Sequence, residues 1–167
     1  MMDQQAGGKV VPDVLELIPA LRAYARSLCK NAVDADDLVQ DTLVKALGNI
    51  NKFEEGTRLR AWLFTIMRNT FFTSVKVRTR EAPAGEDCVS STPISPATQE
   101  WFVRGKELMA AVDRLPPHYR EMLILVVMLG ESYETAATIC DCAIGTVKSR
   151  VNRARQMVIE DLGVDAL

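Results

Sequence analysis

Apolar residues recur at spacings of three and four along most of the chain, while strand-like alternation and hairpin dipeptides are absent. That period predicts an all-α protein. A first helical region is expected from about Asp13 to Cys29, with Leu17, Leu21, Ala25 and Leu28 on one face and Pro19 starting or kinking its main part. A second helix is expected after Asp34, capped by that residue with Asp37 three positions later, and ended near Leu47 by Gly48 and Asn49. Its inner face should be Val39, Leu43, Ala46 and Ile50. A third, long helix follows the turn Glu55-Gly56-Thr57 and runs through Trp62, Leu63, Ile66 and Phe71 to about Thr79.

The segment EAPAGEDCVSSTPISPAT, from Glu81 to Thr98, is rich in Pro, Ser, Thr, Ala and acid and holds almost no large apolar residue. It reads as a flexible linker. Helical periodicity resumes from Gln99 to Leu115, and Pro116 and Pro117 suit the first turn of a further helix to Leu129. The apolar run Met122 to Leu129 within it is expected to be a core helix. Ser132 should cap a short helix to Cys140, and a turn then leads to a last helix from Gly145 to about Leu162. No internal repeat is evident. The expected architecture is two small helical domains, 1–80 and 99–167, joined by the linker 81–98, with a helix-turn-helix in the second.

Composition alters this picture through the placement of charge. A net charge of −2 over 167 residues argues at first against a nucleic-acid binder. Yet Arg58, Arg60, Arg68, Lys76, Arg78 and Arg80 lie between Thr57 and Arg80 without one acid, and Lys148, Arg150, Arg153 and Arg155 do likewise between Cys142 and Ile159. The remainder is correspondingly acidic, notably at Asp34, Asp36, Asp37 and Asp41. Two cationic stretches and an acidic surface imply different partners.

Cys29, Cys88, Cys140 and Cys142 are scattered and the single histidine is His118, so no zinc-ligand spacing exists, and no metal or cofactor is expected. Cys140 and Cys142 are expected to be reduced thiols packed as small hydrophobes. The amino terminus lacks the apolar core of a signal peptide and the longest apolar run is too short to span a bilayer, so a cytoplasmic, membrane-independent protein is expected.

The segment YETAATICDCAIGTVKSRVNRAR, Tyr133 to Arg155, has a small residue, Ala137, where two short helices must approach, a turn at Cys140 to Cys142, and apolar Ile144 and Val147. On the last helix Val147, Val151, Ala154 and Val158 form one stripe. Thr146, Lys148, Ser149, Arg150, Asn152, Arg153 and Arg155 are left outward as donors of the kind that reach guanine edges or phosphates in a major groove.

GTVKSRVNRAR, Gly145 to Arg155, resembles the recognition helix of extracytoplasmic-function RNA polymerase sigma factors. Asp36 to Thr42 resembles the family's DDLVQDT stretch, Trp62-Leu63 with Arg68-Asn69 its WLF-I-RN helix, and Leu115-Pro116-Pro117 with Arg120 the opening of its second domain. The likeness covers about Leu17 to Arg80 and Gln99 to Leu162. It implies a first module that binds core RNA polymerase and the minus-ten element, and a second that binds the minus-35 element. On the second helix Asp37, Gln40, Asp41 and Val44 share a face, which in the family docks on the polymerase clamp helices.

By the same match Lys52, Phe53, Thr57, Arg58 and Arg60 would form a loop that takes a flipped non-template base, with Asn69 offering amide hydrogen bonds beside it. Lys76, Arg78 and Arg80 would contact phosphate, whereas Trp62, Phe64 and Phe71 are expected in the core. ICDCAIGTVKSRVNRAR and LPPHYREMLILV are similar to the general-stress-response group of alphaproteobacteria. That likeness implies a chain that is monomeric when free and held by a small anti-sigma factor, itself removed by a response regulator with a sigma-like domain. Asp141 departs from the family's usual turn glycine, and Thr73-Ser74 with Lys76 stand where acidic or arginine residues are common.

A sigma mimic that sequesters an anti-sigma factor should have lost the cationic recognition helix and gained a receiver domain, and neither holds here. A conventional repressor leaves the first module unexplained. A hydrolase lacks a positioned base and nucleophile.

Overall fold

The computed structural model describes residues 13–29, 31–54, 56–81 and 99–163. Among them every regular element is helical, and the helices fall into two units. The expected linker lies outside the described residues except for Glu81, which ends a helix.

In the first unit a helical turn over 13–16 precedes α1 (Ile18–Leu28), α2 (Ala32–Gly48), a 3-10 turn (Ile50–Lys52) and α3 (Leu59–Glu81). Pro19 sits in the first turn of α1, where its missing N–H forfeits no helical hydrogen bond, so it starts the helix rather than kinking it. Leu21, Tyr24, Ala25 and Leu28 form the buried stripe. Tyr24 has no exposed surface, and its ring centroid lies 4.8 Å from that of Phe64 on α3, within the range of a favourable tilted aromatic pair. Leu63 and Met67 complete that face of α3. Phe64 is core as expected, but Trp62 and Phe71 are only half-buried: Trp62 lies to one side of the Leu63-Phe64-Met67 stripe, and Phe71 lies on it but one turn beyond Met67, where the helix leaves the core.

Helix α2 corrects two expectations. It begins at Ala32 rather than after Asp34, because Asn31 supplies the cap: its side-chain oxygen accepts from the Asp34 N–H at 2.8 Å. Its amide in turn donates to the Asp34 carboxylate at 3.0 Å. Asp34 thus holds the third helical position, where its charge also complements the helix dipole. The inner stripe is Ala35, Leu38, Val39, Thr42 and Ala46, whereas Leu43 and Ile50 are only half-buried. Thr42 enters the core because its hydroxyl donates to the Leu38 carbonyl at 2.7 Å, which satisfies the polar group within its own helix. A bond from Lys45 Nζ to Thr70 Oγ1 at 3.2 Å joins α2 to α3.

Beyond residue 98 the chain forms α4 (Gln99–Arg114), α5 (Pro117–Leu123) with a π-helical continuation (Ile124–Met128), α6 (Tyr133–Cys140) and α7 (Ile144–Leu162). Ala111, Val112 and Leu115 from the α4 end pack with Leu123, Ile124, Ala154 and Val158. The Arg114 guanidinium grips both carboxylate oxygens of Asp161, tying α4 to α7 and holding that carboxyl below its usual range.

The expected core helix to Leu129 changes pitch at Ile124. There the Leu129 N–H reaches back five residues to the Ile124 carbonyl at 2.9 Å. Ile124 and Leu125 are buried, but Val127 and Met128 are exposed, so the apolar run is not all core. Gly130 at φ 72 lets the chain turn back, with the Glu131 N–H donating to the Leu125 carbonyl at 3.0 Å.

Cys29 follows α1 and is half-buried. Burial, and secondarily the Asp34 charge, push its thiol from 9.0 up to about 11, with Arg78 offsetting part of the effect. The folded chain therefore holds this proton more tightly than the unfolded chain. The associated stability is present below pH 9.0 and lost as the pH rises towards about 11.

Phe64→Ala should lower stability by about 3–5 kcal/mol in urea titrations, while Asn31→Ala should cost about 1 kcal/mol. At pH 8, alkylation of Cys29 in the folded protein should run about a hundredfold slower than that of the urea-unfolded chain, followed by peptide mass spectrometry.

Candidate nucleic-acid and protein interfaces

The helix-turn-helix is built from local hydrogen bonds. Ser132 caps α6, its Oγ accepting from the Thr135 N–H at 3.0 Å. Ala136, Ala137, Ile139 and Cys140 are buried. Asp141 takes φ 49, the one non-glycine residue in the left-handed region among those described. The Cys142 N–H returns to the Ala137 carbonyl at 3.0 Å and closes the turn. An Asp is tolerated there because its short side chain suits that region better than a branched one.

Val147, Val151, Ala154 and Val158 are all buried, and they fix which face of α7 points out. Lys148, Ser149, Asn152, Arg153 and Arg155 are exposed, whereas Thr146 and Arg150 are half-buried at the margins of that face. No acid occupies the first turn, and the capping position is Ala143, without a side-chain cap. Ile144 is 40% exposed rather than packed, because it lies in the first turn beyond the buried stripe. Gln156 extends the outward face, four residues beyond Asn152 and seven beyond Ser149, with its amide donating to Glu160 at 3.1 Å. A search for cations alone passes over it.

On α2 the residues Asp37, Gln40, Asp41 and Val44 are all exposed on one stripe, opposite the buried Ala35, Leu38, Thr42 and Ala46. Val44 is 71% exposed, an apolar side chain left in water within an acidic face. Val33 and Leu47 are also exposed and extend the stripe by four and three residues. The heptad-like spacing Val33, Asp37, Gln40, Val44, Leu47 could have revealed both.

The cationic residues of the first unit are less uniform than the sequence implies. Lys52, Thr57, Arg58, Asn69 and Lys76 are exposed, while Phe53 and Arg60 are half-buried. The Phe53 ring packs 5.3 Å from that of Trp62, and the Thr57 hydroxyl donates to the Glu54 carbonyl at 2.7 Å, so both brace the loop from within. Arg60 is not a loop residue: it lies in the first turn of α3 with its guanidinium 5.4 Å from the Phe64 ring centroid. Arg78 is 3.6 Å from Asp34. Exposed ion pairs of that kind contribute little, so the cation stays available to a phosphate. The side chain of Arg80 lies outside the described residues. Among the described residues no cluster suited to a metal ion occurs and no helix is long and apolar enough to cross a membrane.

The helices before and after residues 82–98 fall in two matches to known families. Residues 14–81 match Sigma-70 region 2, and residues 105–158 match Sigma-70, region 4. The chain is 50% identical over 153 residues to the ECF RNA polymerase sigma factor EcfG of Rhodopseudomonas palustris, covering 92% of this chain and 84% of that one. It is 34% identical over 138 residues to the ECF RNA polymerase sigma factor SigC of Mycobacterium tuberculosis, covering 80% and 72% respectively. Among solved structures it is similar to the sigma factor RpoE of Bartonella quintana, crystallised with the anti-sigma factor NepR. The TM-score is 0.82 at 41% identity, over 95% of this chain and 99% of that one. Two ordered sigma regions and relatives matched over most of their length place this chain among the extracytoplasmic-function RNA polymerase sigma factors.

Proposed function

We propose that the two modules divide promoter-specific initiation between them, with residues 1–80 engaging core polymerase and the minus-ten element, 99–167 engaging the minus-35 element, and 81–98 as the tether. The observation that carries this reading is the pairing, in one chain, of an acidic exposed face on α2 with a cationic face on α7 that holds no acid from Ile144 to Ile159. Asp37, Gln40, Asp41 and Val44 dock on polymerase. Lys52, Thr57, Arg58, Asn69 and Lys76, with Arg78 and Arg80, engage the minus-ten strand, and Phe53 and Arg60 shape the loop. Thr146, Lys148, Ser149, Arg150, Asn152, Arg153 and Arg155 face the minus-35 groove, with Gln156 at the far end of that face.

The likeness to EcfG and to RpoE held by NepR supports a regulator of a general stress response, kept inactive by a small anti-sigma factor of that kind. Retention of the cationic α7 face favours a DNA-binding sigma factor over a mimic that only sequesters the inhibitor. The protein acts in the cytoplasm, by binding rather than by catalysis.

The full chain with core polymerase should initiate run-off transcription from a cognate promoter; absence of core binding would overturn the reading. Asp41→Ala should weaken core association and leave the affinity of the free chain for promoter DNA unchanged. Arg153→Ala should cost about 1–3 kcal/mol of minus-35 binding and reduce the slope of log affinity against log salt by about 1 if its contact is to phosphate, measured by anisotropy across a salt series.

A further inference from the structure

The leading end of α7 carries an apolar side chain that neither the core nor the cationic face accounts for. Ile144, the first helical residue, is 40% exposed, although Val147 three residues on is fully buried. Its neighbours are small. Ala143 and Gly145 are exposed too, and a Cβ placed on Gly145 would meet nothing within 4 Å. These three residues form a tip without one polar side chain, on a helix whose next outward residues, Thr146, Lys148 and Ser149, are donors. The tip is ordered: the Thr146 and Val147 N–H groups return to the Ala143 carbonyl at 2.9 and 3.2 Å. Lys148 stands four residues beyond Ile144 on the same side of the helix, so the apolar tip runs directly into the donor face.

We propose that Ile144 reads a thymine of the minus-35 element, seating its side chain on the C5-methyl group in the major groove. The inference rests on the minus-35 reading of the second module and adds to it a residue, a base and a mode of contact. A recognition helix brings its amino-terminal residues to the base edges, which puts Ile144 ahead of Lys148 and Ser149 in the groove. The thymine methyl is the one apolar group that the four bases present there. Against any other edge, Ile144 would strip water from a polar atom and return no hydrogen bond. The two small flanking residues leave room for the tip to come into van der Waals contact, and the β-branched side chain, held near one rotamer in a helix, has little freedom to lose. Thymine and uracil offer the same acceptor, O4, so a donor cannot separate them. An apolar contact can.

The test uses the full chain with core polymerase and a double-stranded minus-35 site selected by that complex from a randomised pool, read by competition anisotropy, with core polymerase alone as background. Each thymine in turn is replaced by deoxyuridine, which deletes one methyl and keeps every hydrogen-bonding group. One replacement should weaken binding about fourfold. Ile144→Ala should weaken the unmodified site by at least as much and bind the thymine and deoxyuridine forms of that position alike, while Ile144→Val should keep most of the discrimination. If no replacement affects the unsubstituted protein, or if Ile144→Ala keeps the full penalty for the missing methyl, the proposed contact does not exist. Should Ile144→Ala melt far below the parent chain, the comparison passes to Ile144→Thr, which keeps the β-branch and makes the tip polar; an unchanged methyl penalty in that variant would overturn the assignment. Failure of the selection to yield any preferred site would sink the minus-35 reading itself, an outcome separable from any methyl effect.

Discussion

Burial of one narrow apolar stripe on α7 governs the second module. Val147, Val151, Ala154 and Val158 leave no freedom in how the helix is rotated, because turning it by one residue would expose four apolar side chains and bury cations in their place. The orientation of Lys148, Ser149, Asn152 and Arg153 is therefore set by residues that never meet solvent. The same logic operates on α2, where Leu38, Thr42 and Ala46 face the core and Asp37, Asp41 and Val44 consequently face out. In both modules the interface is the remainder after the core has taken its share, so substitutions in the stripe and on the face should affect function by different routes.

How much of the molecule is legible in its sequence depends on how locally each feature is determined. The α7 stripe, the Ser132 cap and the left-handed Asp141 depend on neighbours within a few residues, and the sequence presents all three. Capping propensity alone misplaces the start of α2, because Asn31 and Asp34 are both good capping residues, and only their mutual hydrogen bonds decide which caps and which sits inside. Thr42 escapes a hydrophobicity-based choice of core residues because a hydroxyl looks polar until its bond to the Leu38 carbonyl is seen. The change of pitch at Ile124 has no local signature, since ILVVM suits an α-helix equally well by composition.

The candidate interfaces show the same division. Charge segregation reveals the cationic faces, but it does not distinguish an arginine in open water from one over a ring, as Arg60 and Arg68 are. Nor does it show that Arg78 stands beside Asp34. Aromatic residues are the harder group: spacing places Trp62, Phe64 and Phe71 near the core alike, yet only Phe64 is fully enclosed. Apolar side chains left on polar faces, such as Val33, Val44 and Leu47, become visible only once burial is known.

The π-helical turn has an evolutionary corollary. Such a turn holds one residue more than an α-turn spanning the same rise, so Ile124–Met128 behaves as an insertion absorbed without a loop. Loss of a single residue there would return the segment to α pitch and leave the phase of the chain beyond it nearly unchanged. The whole helix-turn-helix lies downstream of that point. A one-residue difference in chain length is therefore accommodated at this position by a change of pitch alone, with no compensation needed before Ser132.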